Sequence, residues 1–221
     1  MKGIGLFGGT FNPLHNGHLK VAEDVRTQFQ MEKVYFIPSA LPPHKKRDNL
    51  AEAGDRYQMI EMAVSVYEQF NVSDVEIQRK GLSYSIDTVR YFKKNFQAAT
   101  CYLIVGIDAF LEVDTWKSYE AFFDLIPIIV MTRPSESAEP ALNPSEELKS
   151  YIQAHVDQCY EFSPPLSCFV HPEKQPVFLC HVTPKDISST RIRYFIKQGK
   201  SVTGMVPASV EKYIYKKGLY L

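Results

Sequence analysis

His15 and His18 are the residues of this chain whose type and spacing point most directly to chemistry. Three positions apart at the start of a helix, their rings can face one ligand. Gly8-Gly9-Thr10-Phe11-Asn12-Pro13-Leu14 runs directly before them, and a short, largely apolar segment, Lys2 to Phe7, precedes that. Gly8 and Gly9 let the backbone turn sharply and let a ligand approach it closely. After the histidines, Leu19, Ala22, Val25 and Phe29 recur at helical spacing. The stretch is therefore a strand-to-helix turn, where unpaired N–H groups and the positive helix end favour phosphate. Two other readings are weaker. A zinc pair on a metalloprotease helix would need four-residue spacing and an intervening Glu. An isolated His-x-x-His usually just caps a surface helix, but the glycines, the Thr-Phe-Asn-Pro turn and the preceding strand favour phosphate chemistry. Gly3 to Gly8 also spells G-x-G-x-x-G, but only Met1 and Lys2 precede it, too few for the strand that a dinucleotide site requires.

Elements that could position such a turn follow along the chain. Lys33 to Pro38, residues 72–77, Thr100 to Val105, Ile126 to Thr132 and Val177 to His181 read as strands. A helix starting at Gly54-Asp55, with Asp55 as N-cap, buries Met59, Ile60, Ala63, Val64, Tyr67 and Phe70. Short buried strands alternating with helices indicate a Rossmann-like, doubly wound parallel sheet in a single α/β domain over residues 1–221, with a small helical C-terminal portion. Strand order 3-2-1-4-5 would make the exit turns of strands one and four a single crevice, placing Gly106 and Asp108 opposite Gly8 to His18. Alone, Asp108 would read as an N-cap. Loops at the carboxyl ends of such strands carry ligands, which draws in Ala40-Leu41-Pro42-Pro43-His44-Lys45-Lys46-Arg47, otherwise a solvated basic loop. Ile187-Ser188-Ser189-Thr190-Arg191-Ile192-Arg193 offers hydroxyls at a helix start and an arginine one turn in, a second anion site. From Ser135 to about Pro176 no chemistry is legible. A helix near Glu146 to Cys159 and a role in mobility or oligomer contacts are the expectations there.

Composition bounds the partners. Acidic and basic residues balance at 25 each among 221 residues, so no global field draws the protein to nucleic acid or anionic membrane. The longest apolar run, Leu125 to Met131, contains Pro127 and is too short to span a bilayer. The N-terminal residues lack a signal-peptide pattern. Cys101, Cys159, Cys168 and Cys180 lack metal-ligand spacing, and Cys101 and Cys180 sit in strand-like runs as core thiols. A cytoplasmic protein is expected.

Gly8 to Leu19 resembles the signature turn of the nucleotidyltransferase superfamily marked by His-x-Gly-His or His-x-x-His, and in detail is similar to that of the bacterial nicotinate-nucleotide adenylyltransferases. The resemblance covers Phe7 to the C-terminus with every motif in order. It implies transfer of AMP from ATP to nicotinate mononucleotide, with His15 and His18 catalytic. It implies ATP contacts from Gly8, Gly9, Thr10, Phe11, Lys45, Gly106, Asp108, Arg133, Ser188, Ser189, Thr190 and Arg191, the family's second signature being Ile-Ser-Ser/Ala-Thr-x-Ile-Arg. Asp108 takes a ribose hydroxyl in this scheme. His44, Ser85 in Ser83-Tyr84-Ser85, and Trp116 in Thr115-Trp116 fall to the mononucleotide. Mg²⁺ is expected to ride on the ATP phosphates, with no metal bound by protein side chains alone. Asn12 stands where the nicotinate enzymes usually have Asp and where nicotinamide mononucleotide enzymes often have Asn, so a nicotinamide or dual-specificity enzyme is the alternative. A regulator that binds nucleotide without reacting it is more remote.

Overall fold

The structure, a computed structural model, describes residues 3–41, 50–79, 81–132, 143–183 and 185–221. Strand β1 (Gly3–Gly9) is buried from Gly3 to Phe7, as a central parallel strand must be. Helix α1 (Asn16–Gln28) follows, burying Leu19, Val21, Ala22 and Val25. Then come β2 (Met31–Pro38), α2 (Ala53–Val64), β3 (Phe70–Val72), α3 (Val75–Gln78), α4 (Ser85–Asn95), β4 (Thr100–Gly106), α5 (Ile107–Phe110), α6 (Glu120–Leu125) and β5 (Ile128–Thr132). The chain finishes with α7 (Pro144–His155), β6 (Glu161–Ser163), β7 (Cys168–Val170), β8 (Val177–His181), α8 (Ser189–Lys197) and α9 (Ala208–Lys217).

Eight strands form one sheet in the order β3-β2-β1-β4-β5-β8-β7-β6. Every pair from β3 to β8 is parallel, and β8-β7 and β7-β6 are antiparallel. The expected order 3-2-1-4-5 is thus the first part of a wider sheet. Period-two alternation sends side chains to two cores. Phe7, Val34, Phe36 and Ile104 face α1, α2, α8 and α9. Ile4, Leu6, Leu103 and Val105 face α4, α5, α6 and α7. Each such fully buried apolar chain contributes about 1.5–3 kcal/mol. Cys101, Cys168 and Cys180 are buried, Cys159 is exposed, and all four are free thiols. Among the described residues no helix is long and apolar enough to cross a membrane.

Three expectations are corrected, and a hairpin is added to the C-terminal half. β1 runs on through Gly8 and Gly9, so the turn starts at Thr10. Residues 72–77 are not one strand: β3 ends at Val72 and Val75–Gln78 is a helical turn, its start held by Val75 N donating to Ser73 Oγ (3.4 Å) and its end by Gln78 Nε2 donating to Asp74 Oδ2 (2.9 Å). Asp55 lies inside α2 instead of capping it, and accepts from Tyr213 Oη (2.7 Å). Residues 161–170 hold the hairpin of β6 and β7, whose three-residue strands within a Ser- and Pro-rich stretch leave no periodic signal.

Candidate active site

At the exit of β1 the backbone enters the left-handed region at Phe11 (φ 47), which a bulky residue occupies only when its surroundings hold it there. Here the Phe11 ring is buried at 3% exposure, edge-on to Phe7 (5.5 Å) and His18 (5.1 Å). A Cβ on Gly9 would lie 3.0 Å from that ring, so the glycine makes room for the wedge.

The two histidines form a reciprocal cap. His15 is the N-cap of α1; its Nδ1 accepts from His18 N (3.3 Å), and His18 Nδ1 accepts from His15 N (3.2 Å). Their rings stack at 3.6 Å and 24°. A Cβ on Gly17 would meet His15 Nδ1 at 2.9 Å, so the residue between the histidines has to be small. Because both Nδ1 atoms accept backbone N–H bonds, the proton of each neutral ring sits on Nε2, making Nε2 a donor. Of the two rings expected to face one ligand, that of His18 lines a cavity of about 580 Å³. His15 is buried at 6% and stands behind it, outside the lining.

That cavity joins the β1 exit to the start of α8. Gly8, Gly9, Thr10 and Phe11 form one wall; Asp108, at the start of α5, and Ser189, Thr190 and Arg193 contribute to the others. Ser188 caps α8 through Oγ, which accepts Arg191 N (3.2 Å), and does not line the cavity. Ser189 Oγ donates to Pro13 O (2.9 Å). Arg193 Nη1 donates to Asn12 O (2.8 Å). Arg191 was the expected phosphate arginine, and the structure corrects this. Its guanidinium is paired with Asp186 and lies over the Phe195 ring, outside the lining. Thr190 and Arg193 are three residues apart and share a helix face, whereas Arg191 is turned off it. The signal was in the sequence, since Arg193 is the arginine that closes the Ile-Ser-Ser-Thr-x-Ile-Arg string.

A second cavity, about 510 Å³, shares Phe7, Gly8, Gly9, Thr10 and Ala109 with the first and extends over β4 towards α4. Ser85, Gly106 and Trp116 line it, as do Glu76, Ser83 and Lys117, which sequence reading passed over. Trp116 is half-buried, with Phe122 against it at 75°. Lys117 Nζ sits 4.3 Å over the Tyr84 ring and 3.4 Å from Asp87 Oδ2. Ser83 Oγ accepts from Ala40 N (2.8 Å), tying this wall to the β2 exit. Burial raises the Glu76 carboxyl above its ordinary range, opposed by hydrogen bonds from Thr88 and Ser83. His44, Lys45 and Arg133 lie outside the described residues.

Arg56 underlies both cavities and was read only as part of a helix. It is fully buried, and its guanidinium donates to Ala51 O (2.9 Å), Thr10 O (2.9 Å) and Ala40 O (3.2 Å), the ends of three separate segments. Burial pulls it below the ordinary guanidinium range, against the opposing fields of Tyr220, Glu52 and Glu76. On the other side of the turn, Asn16 donates through N to Met205 O (2.9 Å) and through Nδ2 to Gly204 O (2.8 Å).

Comparison with known proteins gives the family. The sequence profile of the cytidylyltransferase-like family matches residues 6–195. The probable nicotinate-nucleotide adenylyltransferase of Geotalea daltonii is 38% identical over 218 residues, 98% of this chain and 97% of that protein. The protein of the same name from Desulfitobacterium hafniense is 41% identical over 219 residues, 99% of this chain and 96% of the relative. In fold, the chain is similar to a Plasmodium falciparum nicotinic acid mononucleotide adenylyltransferase complexed with NaAD, with TM-score 0.72, 16% identity, and coverage of 100% and 98%. This chain belongs to the cytidylyltransferase-like family and, within it, to the nicotinate-nucleotide adenylyltransferases.

Proposed function

We propose that this protein transfers the adenylyl group of ATP to nicotinate mononucleotide, yielding nicotinate adenine dinucleotide and pyrophosphate for NAD biosynthesis. The observation that carries the reading is the pair of cavities meeting over Gly8, Gly9 and Thr10. Two nucleotides seated in them bring their phosphates together at that shared floor. A phosphate oxygen of the mononucleotide forms a bond to the α-phosphorus, and the bond from that phosphorus to the pyrophosphate oxygen breaks. The attacking group is already an oxyanion, so no general base is needed, and catalysis rests on alignment and charge stabilisation.

In this assignment the Nε2–H of His18 stabilises charge growing on the α-phosphate, with His15 bracing its ring. Ser189, Thr190 and Arg193 hold the remaining ATP phosphates, and Asp108 takes a ribose hydroxyl. Trp116 stacks the pyridine ring, and Ser85 with neighbouring backbone N–H groups receives its carboxylate. Mg²⁺ would arrive on the ATP phosphates, where it offsets their charge. The described lining of the His18 cavity has one carboxylate, Asp108, which fits a cation carried by the substrate. We assign the reaction to the cytoplasm, in keeping with four free cysteines.

Asn12 motivates the nicotinamide alternative, yet it lines the His18 cavity and not the Trp116 cavity. Base choice is therefore assigned to the other lobe. Charge-assisted hydrogen bonds are about twice as strong as neutral ones. An amide NH₂ facing donors would also leave a group unpaired at about 1–3 kcal/mol. Pyrophosphate release from ATP with each mononucleotide is the test. A kcat/KM preference of at least about a hundredfold for nicotinate mononucleotide is expected. Equal use, or preference for the amide, would make Asn12 the better guide. Nucleotide binding without pyrophosphate release would identify a regulator.

A further inference from the structure

The chain's penultimate residue reaches the phosphate turn. α9 ends at Gly218 (φ 65), and Tyr220, itself at φ 67, carries its part-buried ring back against the core of α1 and α2. Its hydroxyl donates to Asn12 Oδ1 (2.7 Å), and the same oxygen accepts from Ala51 N (3.1 Å). A carbonyl-type oxygen has two lone pairs, so Asn12 Oδ1 is fully used in joining the C-terminus to the start of α2. The backbone carbonyl of Asn12 takes Arg193. Burial lifts the Tyr220 phenol well above its ordinary range against the pull of Arg193 and Arg56, so the hydroxyl remains a donor at working pH. A left-handed backbone at a tyrosine is an arrangement that its surroundings have to hold.

We propose that Tyr220 is a positioning residue: through Asn12 it sets the turn that presents His18, braced by His15, to the α-phosphate. The proposal rests on the adenylyl-transfer reading for its kinetic consequence, and on geometry alone for its structural one. Tyr220 does not line either cavity, so its effect passes through the turn. Misplacing a reacting group by a fraction of an ångström lowers turnover far more than it lowers ground-state binding.

The test uses the full chain carrying Tyr220→Phe, Asn12→Ala, both together, and Asn12→Asp. Thermal unfolding, kcat and KM for each substrate, and ¹⁵N–¹H spectra of the histidine rings are recorded for each. Tyr220→Phe keeps the ring and should fold. Its kcat is expected to fall about tenfold, one hydrogen bond's worth, with KM for the mononucleotide unchanged. The ring signals of His15 and His18 should shift. Asn12→Ala should lower kcat at least as far, with Tyr220→Phe adding nothing in that background. Asn12→Asp keeps both acceptor sites, so its kcat should fall less than that of Asn12→Ala. A kcat within about twofold of the parent at a temperature where Tyr220→Phe is folded would overturn the proposal. So would unshifted histidine signals, or multiplicative effects in the double variant. Absence of pyrophosphate release in the unsubstituted chain would instead reject the adenylyl-transfer reading, while the histidine spectra would still decide the role of Tyr220.

Discussion

The two halves of the cleft are built in opposite ways. The His18 half is assembled from the two ends of the chain: Ser189 bonds Pro13 across 176 residues, Arg193 bonds Asn12 across 181, and Tyr220 bonds Asn12 across 208. The hydroxyls of Thr10, Ser189 and Thr190, the His18 ring and the Arg193 guanidinium line it beside the Asp108 carboxylate, equipment suited to phosphate and ribose. The Trp116 half comes from the middle of the chain, where Ser83 reaches Ala40 across 43 residues and Lys117 reaches Asp87 across 30. Its lining is aromatic and hydroxylic over a buried acid, Glu76. The difference teaches where strictness is needed. Phosphoryl chemistry demands alignment of a few atoms, and long-range backbone bonds fix the turn from several sides. Base recognition needs a flat face and a few donors, which local loops can supply.

The largest expected effect tests the first half. His18→Ala should lower kcat by roughly 10²–10³, the usual loss when a donor to transition-state charge is removed. Near-parental turnover in a folded variant would mean that the His18 half is a binding surface alone.

A paired substitution tests the division of labour. Arg193→Ala should raise KM for ATP by about tenfold or more, since charged hydrogen bonds are worth about 1.5–3 kcal/mol, and leave KM for the mononucleotide nearly unchanged. Trp116→Ala should do the reverse, by about tenfold. Arg191→Ala, which removes an exposed pair with Asp186 and a contact with the Phe195 ring outside both cavities, is expected to leave both near parental values. Steady-state kinetics with each substrate varied in turn decides this; if Trp116→Ala also raises KM for ATP, the two halves are not separate sites.

Both the turn and the order of the parallel strands were legible because they rest on local patterns. Glycines, a histidine pair and apolar periodicity announce β1 and α1, and the β–α alternation announces 3-2-1-4-5. Other features had no such mark. Arg56 reads as an ordinary helix arginine, because its partners are backbone carbonyls at Thr10, Ala40 and Ala51, and a carbonyl acceptor belongs to every residue alike. Removing it would take the donor from three part-buried carbonyls, yet nothing beside it in sequence says so. Tyr220 has a side-chain partner, Asn12 Oδ1, but one 208 residues away, and no local pattern joins the two. Arg191 stands nearer Ser188 and Ser189 in sequence, but the helical period puts Arg193, three beyond Thr190, on the face that lines the cavity.

The smallest effect concerns the acid in the Trp116 half. Glu76 is 6% exposed, its Oε1 accepts from Thr88 Oγ1 (2.7 Å), and burial holds its carboxyl above the ordinary range. The sign follows from linkage. The folded state binds this proton more tightly than the unfolded chain. The resulting stabilisation is fully present below the unfolded carboxylate pKa and is lost as pH rises through the raised folded value. Glu76→Gln keeps an acceptor for Thr88 but cannot ionise, so it does not show this loss. Stability of the parent relative to Glu76→Gln should therefore be greatest in mild acid and decline as pH rises from about 4.3, the unperturbed carboxyl value, towards neutrality. Urea unfolding of both proteins across that range measures it. A stability difference that stays flat would mean that folding does not disfavour the Glu76 carboxylate, and one that grows with pH that the carboxylate is favourably paired. The Trp116 half would then carry a fixed negative charge beside the proposed nicotinate carboxylate, and the separation of the halves into a phosphate side and an acid-reading side would have to be redrawn.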